Sequence, residues 1–477
     1  MPLILPGSAP APVAYDIANS CRFNDGDAGH LHFTPSSEGD RTEWTLSLWF
    51  KRGTNFGAEQ RLFGGVGAGT HLFLNTSDQL KMSLETDSGD KLLLTNRLFR
   101  DPSAWYHVVI AYDSNAAASG NRIRMYINGT EETSFSAETQ PSSGEDSAVV
   151  SDDSKHDIGY RIATTSMAFD GYMAEIVLID GDQLTASSFG EFDSRSPTIW
   201  KPKDVSGLTF GSQGYHLDFE NSAALGNDVS GNDNDWTVVS LAATDQATDT
   251  PTNNFCTLNP LSMYHSNTPT LAQGNCRFSG TAAGEYGVTG TMGVSSGKWY
   301  FEMKKVSQDA GPDDDSQRNV FGITAKPYRD QATHPDPESW MLLGNSAISN
   351  NSTTYASVGP SMLSDGGILQ CALDLDNNRV AFGHDDAWQT GSSAFSGSYS
   401  DYESITAAAS TISGFYFPII GDNSSSRGYT MDANFGGCPP NAIASAATDE
   451  NGYGTFEFAP PTGFLALCTK NLGSDGG

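Results

Sequence analysis

Basic residues are scarce in this chain. Of 477 residues, Lys and Arg make up 26 against 57 Asp and Glu, a formal charge of −31. So acidic a chain repels nucleic-acid phosphates and anionic bilayers at long range, so neither partner is expected. Long apolar runs are also missing, and none reaches the roughly 18 residues of a spanning helix. Cysteine is sparse: Cys21, Cys256, Cys276, Cys371, Cys438 and Cys468 are scattered, with no Cys-x-x-Cys pair and no Cys/His cluster of zinc spacing. That excludes a disulfide scaffold and predicts free, mostly buried thiols. The opening MPLILPGSAPAPVAYDIANS has no basic segment and only a short apolar run, so it does not read as a secretory signal.

Signatures of catalysis are equally thin. No nucleophile elbow is expected to start Ser/His/Asp catalysis, and no glycine-rich loop ends in Gly-Lys-Ser/Thr. Glycoside hydrolysis needs two carboxylates about 5–9 Å apart, which neighbouring alternate strand residues can supply. The nearest cases, Glu85-Thr-Asp87 and Glu191-Phe-Asp193, lack a further Glu, and Glu302 in FEMKKV stands alone. His107, in WYHVVIAY, alternates with apolar neighbours as a structural strand residue would. A protein without catalytic residues is expected.

What is present is a β grammar. Short alternating or apolar runs lie between Gly, Asn, Asp and Ser clusters, while helical periodicity is nearly absent. In TEWTLSLWFKR (42–52), Trp44, Leu46, Leu48 and Phe50 recur at period two, the pattern of a half-buried strand. Asn128-Gly129, Asp180-Gly181 and Asn451-Gly452 are turn dipeptides between such runs. KWYFEMKKV (298–306), ILQCALDLDNNRVAFG (368–383) and GFYFPIIGD (414–422) repeat the grammar. The fold class is therefore all-β: two antiparallel β-sandwiches of jelly-roll type, joined by a polar bridge. The bridge over 198–254 contains strand-like pieces at 214–219 and 236–241 and ends in a linker at 242–254. The acidic loops 137–157 and 308–318 read as long and mobile.

The first half resembles the laminin-G-like, concanavalin A-like family. TLSLWFKR (45–52), AWYHVVIAYDS (104–114), RMYINGT (124–130) and FDGYMAEIVLID (169–180) carry this in their order. The second half resembles a SPRY domain through GKWYFEMKKV, VFGITA (320–325), ALDLDNNRVAFGHDDAW (372–388) and YFPIIGDNSSS (416–426). The expected division is a leader over 1–13, a laminin-G-like sandwich over 14–197, the bridge, and a SPRY-like sandwich over 255–477. With NFCTLNPL (254–261), the tail FAPPTGFLALCTKNL and the MPLILPG opening, the whole resembles marine bacteriophage structural proteins. The resemblance implies a virion-surface protein made in the host cytoplasm, such as a tail fibre recognising a host glycan or receptor. Capsid decoration, a tail-tip role and a bacterial surface glycan-binding protein remain open. It also implies a homo-oligomer, with a trimer as one form, and a leader that docks on other virion proteins.

Candidate site residues follow from chemistry. Ca²⁺ takes six to eight oxygens from loop Asp, Asn and carbonyl groups. Asp25 and Asp27 form one such loop; Asp228, Asn232 and Asn234 form another, without the Gly and Glu that complete an EF-hand. An Asx-rich turn is the competing reading there. Tyr160, Trp340 and Trp388, beside turn-rich stretches, are candidate platforms for a sugar ring. No other cofactor is indicated. The net charge suggests that recognition rests on neutral hydrogen bonding and stacking rather than bulk attraction.

Overall fold

The computed structural model describes residues 15–66, 69–152, 154–194, 196–264, 269–280, 286–308, 319–326, 338–343, 347–350, 353–357, 364–388, 402–422 and 428–474. The leader and most of loop 308–318 lie outside them. Within them the fold is all-β, with one short α-helix, Thr469–Ser474.

The first sandwich packs two antiparallel sheets face to face. One, termed here the covered sheet, is centred on Glu43–Arg52, flanked by Trp105–Asp113 and Gly171–Asp180. The other, the open sheet, runs in the order Phe135–Thr139, Lys91–Leu98, Gln79–Leu84, His71–Leu74, Gln60–Val66, Lys155–Ile158, His30–Phe33 and Thr237–Val239. Trp44, Leu46, Leu48 and Phe50 point into the core between the sheets, as their spacing predicts. The alternate residues are buried too, which corrects the half-buried reading: Thr45, Ser47, Trp49 and Lys51 are at most 3% exposed. The reason is cover on the outer face. Ala186, Phe189, Val205 and Phe210 pack on Val109, Ala111, Val177 and Ile179 there.

The bridge packs on the first sandwich by pairing with both of its sheets. Tyr215–Leu217 pairs with Gly171–Asp180 of the covered sheet, and Thr237–Val239 pairs with His30–Phe33 of the open sheet. The stretch 242–254 is not a free linker: Gln246 and Ala247 pair with Cys21 and Ser20, and Asp249 is 1% exposed. Loop 137–157 is likewise held. Val149 and Val150 enter the core, and the Glu145 carboxylate lies 2.7 Å from Lys91 Nζ. Local composition signals polarity, but these burials are long-range contacts that composition does not show.

The second sandwich has a sheet centred on Lys298–Gln308, Ile368–Asp374 and Tyr429–Asn434, and another on Asn319–Thr324 and Phe417–Asp422. The halves meet through buried polar contacts. Tyr172 Oη donates to the Gly274 carbonyl at 2.8 Å, and Arg22 Nη1 lies 3.1 Å from Cys438 Sγ. Gly274, at φ +62, is required there, since a Cβ would come within 2.3 Å of the Tyr172 hydroxyl. All six cysteines are free and buried.

Candidate functional site: the open face of the first sandwich

The covered sheet seals its polar groups. Ser47 Oγ lies 2.8 Å from His107 Nε2, and the Trp200 indole N–H donates to His107 Nδ1 at 3.0 Å. An indole nitrogen only donates, so Nδ1 is bare and the imidazole proton sits on Nε2. Nε2 therefore donates to Ser47 and cannot take its proton, the reverse of what a serine nucleophile needs. Burial pushes the His107 pKa down to about 3. Nearby, a bulge in Gly171–Asp180 puts Glu175 at φ +48, and its Oε2 meets His216 Nε2 at 2.9 Å. The space left between this sheet and its cover is about 10 Å³, too little for a sugar ring.

Other acids singled out by sequence have structural partners. Glu191 and Asp193 lie 3.1 and 3.6 Å from Lys201 Nζ, and Asp87 lies 3.5 Å from Arg41. Glu85 accepts the Gly69 N–H. Glu302 is buried, accepts the Glu457 and Phe458 N–H groups at 2.9 Å each, and so ties the C-terminal segment to the second sandwich. Burial pushes its pKa up to about 7. The segment Gly293-Val294-Ser295-Ser296-Gly297 spells an elbow consensus but leads into the strand Lys298–Gln308, not into a helix.

The open sheet turns its other face outward. Residues His30, His32, His71, Lys81 and Ser83 alternate with buried Leu31, Phe33, Leu72, Met82 and Leu84. One cross-strand row runs His32, Asp157, Gly64, His71, Ser83. The Arg61 guanidinium lies over Gly64, where a Cβ would come within 2.1 Å of Nη2. From there its Nε donates to Asp157 Oδ1, Nη1 to His71 Nδ1, and Nη2 to the Gly65 carbonyl at 3.1 Å. Since Arg61 only donates, His71 is the tautomer with its proton on Nε2. Burial lowers the His71 pKa to about 3, with Arg61, Arg161 and Lys81 adding to the effect. Burial also raises Asp157 to about 6, against the pull of Arg61. Beside this row the Tyr160 ring stacks on His30 at 5.4 Å and 29°. His30 Nδ1 donates to the Ala28 carbonyl at 2.8 Å, which leaves Nε2 as an acceptor. The face thus offers an aromatic ring and imidazole donors and acceptors; Arg61 and Asp157 are 0% exposed and act beneath it, fixing His71.

Of the aromatic candidates, Tyr160 is brought to this face. Trp340 and Trp388 are 8% and 7% exposed and pack within the second sandwich, so neither is presented on an exposed loop. The metal candidates fall at two places. Asp228 is turned onto backbone: its carboxylate accepts from the His216, Ser230 and Asn234 N–H groups at 2.8–2.9 Å. Asn232 and Asn234 donate to the carbonyls of Gly211, Ser212 and Gly214. These are the bonds of an Asx turn. Asp27 accepts from Asn24 at 2.7 Å. Asp25 stands at the rim where strands Ser20–Phe23, Glu43–Arg52 and Gly171–Asp180 end together. There it neighbours Asp170, which is 1% exposed; its Oδ1 has no hydrogen-bond partner among the described residues. Burial first, then Asp25, raises Asp170 to about 6. Asp170 Oδ2 accepts from the Thr54 N–H and hydroxyl, and sequence reasoning missed this buried neighbour of Asp25. Among the described residues no cluster of three or more His, Cys, Asp or Glu has metal-binding geometry.

The second sandwich has a polar cleft of about 520 Å³ lined by Ser296, Lys298, Asp376, Glu450 and Asn451, without an aromatic wall. Sequence reasoning also missed His30, His32, His71 and Arg61. The period-two pair His30-Leu-His32 was a legible signal; Arg61 and Asp157 are 96 residues apart and gave none.

No curated protein matches the chain. Many solved structures show partial likeness, three of which illustrate it. The SPRY domain of human HERC1 is 14% identical, covering 37% of this chain and 96% of that one, at TM-score 0.28. A heptameric SAP-like pentraxin from Limulus polyphemus is 16% identical, covering 36% and 80%, at TM-score 0.28. A presumed carbohydrate-binding protein from Bacteroides ovatus is 14% identical, covering 48% and 61%, at TM-score 0.34. Residues 25–188, which span both sheets of the first sandwich, match the laminin-G model of the concanavalin A-like lectin and glucanase superfamily.

Proposed function

We propose that this chain is a non-enzymatic carbohydrate-binding protein carried on the surface of a bacteriophage particle, with the open face of the first sandwich as its glycan site. One observation carries the binding. The covered sheet is sealed, whereas the open sheet presents half-buried Tyr160 stacked on His30, with half-buried His71 held from below by the fully buried Arg61–Asp157 pair. Sugars bind by such a combination: an apolar C–H face on an aromatic ring, and hydroxyls on fixed donors and acceptors. The laminin-G match over residues 25–188 supports a lectin-like role for this half. The resemblance of module order and opening segment to phage structural proteins supports display on a virion, as a tail fibre meeting a host glycan.

A glycan array read with the full chain and with Tyr160→Ala tests the binding. Selective binding that falls at least tenfold in the variant is expected, about the value of one stacked ring. No selective binding, or binding indifferent to Tyr160, refutes it. Immunogold labelling of particles tests the location: label on the capsid shell instead of the tail would remove the tail-fibre part.

A further inference from the structure

We infer that the ligand of the open face is an acidic polysaccharide, its carboxylate or sulfate groups held by Lys81, Lys155 and Arg161. The inference rests on the glycan-binding reading above and names the chemical class of its ligand. It starts from how the scarce cations are used. In a chain with 57 acidic and 26 basic side chains, carboxylates are in excess, and most described lysines and arginines have one within 4 Å. Arg122 and Lys203 instead donate to backbone carbonyls. Lys81, Lys155 and Arg161 do neither. All three belong to the open sheet or the turn that follows it, and among the described residues only Lys298, in the second-sandwich cleft, is like them.

Their placement is collective. Lys155 lies two residues before Asp157 on the same strand face, so it points outward beside His32. Arg161 follows Tyr160 and is half-buried; its Nε is enclosed with no partner among the described residues. Lys81 stands over the Phe73 ring at 5.3 Å. The acid set among them, Asp157, is already neutralised by Arg61. An enclosed guanidinium N–H without an acceptor is costly, and an anion reaching it beside the accessible part of Arg161 would remove that cost. From His30–Phe33 to Gln79–Leu84 the face crosses four strand intervals, about 19 Å, which suits a short oligosaccharide better than one sugar. The net charge of −31 does not veto this. At physiological ionic strength the Debye length is about 8 Å, so remote acids are screened while contacts at the face are not.

The test is biolayer interferometry of the full chain against polygalacturonate, a heparin-type sulfated polysaccharide, neutral dextran and single-stranded DNA, at low and high salt. Variants are Lys155→Gln/Arg161→Gln and Tyr160→Ala, each checked by its melting temperature. Wild type should prefer a uronate- or sulfate-bearing polysaccharide and weaken with salt. The charge variant should lose about tenfold or more on that polysaccharide, the value of one charge-assisted hydrogen bond. Preference for the uronate over the sulfate arm, or the reverse, identifies the anion. Equal affinity for dextran, an unaffected charge variant, or DNA bound as tightly as polysaccharide overturns the inference while leaving glycan binding standing. No binding to any polysaccharide removes both.

Discussion

A buried ion pair stands at the joint between the two halves, and breaking it should be expensive. Lys51 and Asp249 are each 1% exposed, with Nζ 2.7 Å from Oδ2. The ammonium has three N–H bonds and three acceptors; the others are Asn254 Oδ1 at 2.7 Å and the Phe255 carbonyl at 3.1 Å. Asp249 Oδ1 accepts from Trp105 Nε1 at 3.1 Å and the Phe255 N–H at 3.3 Å. Lys51→Met keeps the stem and removes the charge, stranding a buried carboxylate. Asp249→Asn keeps an acceptor for Trp105 and strands the ammonium. Each should cost about 3–5 kcal/mol. The double variant strands neither charge, so it should cost well under the sum, a coupling of about 3 kcal/mol. Equilibrium urea unfolding measures all four corners. The pair links strand Glu43–Arg52 to the segment entering the second sandwich, so each single variant should also split one transition into two. Single variants within about 1 kcal/mol of wild type, or an additive double variant, would refute this account of the joint.

Four further outcomes are expected. His156 is 1% exposed among Phe33, Phe63 and Trp236, and burial lowers its pKa to about 3. Its contribution to stability is complete above pH 6.5 and is lost as pH falls toward 3, at about 1.4 kcal/mol per unit. Calorimetry should therefore show His156→Phe losing less stability than wild type between pH 6 and 3.5. Gly64→Ala would push a methyl into the Arg61 guanidinium; unfolding should show a loss of about 2–4 kcal/mol, and glycan binding should fall with it. Trp340→Ala, a core truncation, should cost about 3–5 kcal/mol in urea unfolding and leave glycan affinity unchanged at temperatures where the variant is folded. Glycan binding should survive chelator at constant ionic strength; loss restored by Ca²⁺ would promote Asp25 and Asp170 to ligands.

The strands were legible because their signal is local. Trp44, Leu46, Leu48 and Phe50 announce an inward face by period alone, and the bridge pieces at 214–219 and 236–241 did become strands. Cover was not legible. Nothing within WTLSLWFK reveals that Ser47 and Lys51 meet His107 and Asp249, 60 and 198 residues away. The same limit governed the site. The turn-rich neighbourhood that selected half-buried Tyr160 also selected the buried Trp340 and Trp388, since a local rule cannot separate a ring on a face from a ring beneath one. Net charge is silent for a related reason: a sum of −31 does not say where Lys81, Lys155 and Arg161 stand.

The central claim, that carbohydrate is held on the open face of the first sandwich, is tested most directly by amide hydrogen exchange with and without a bound oligosaccharide taken from the array. Protection concentrated in His30–Phe33, His71–Leu74, Gln79–Leu84 and residues 155–161 is the predicted result. Protection confined to the cleft around Ser296, Lys298 and Glu450, with the open sheet unchanged, would contradict it.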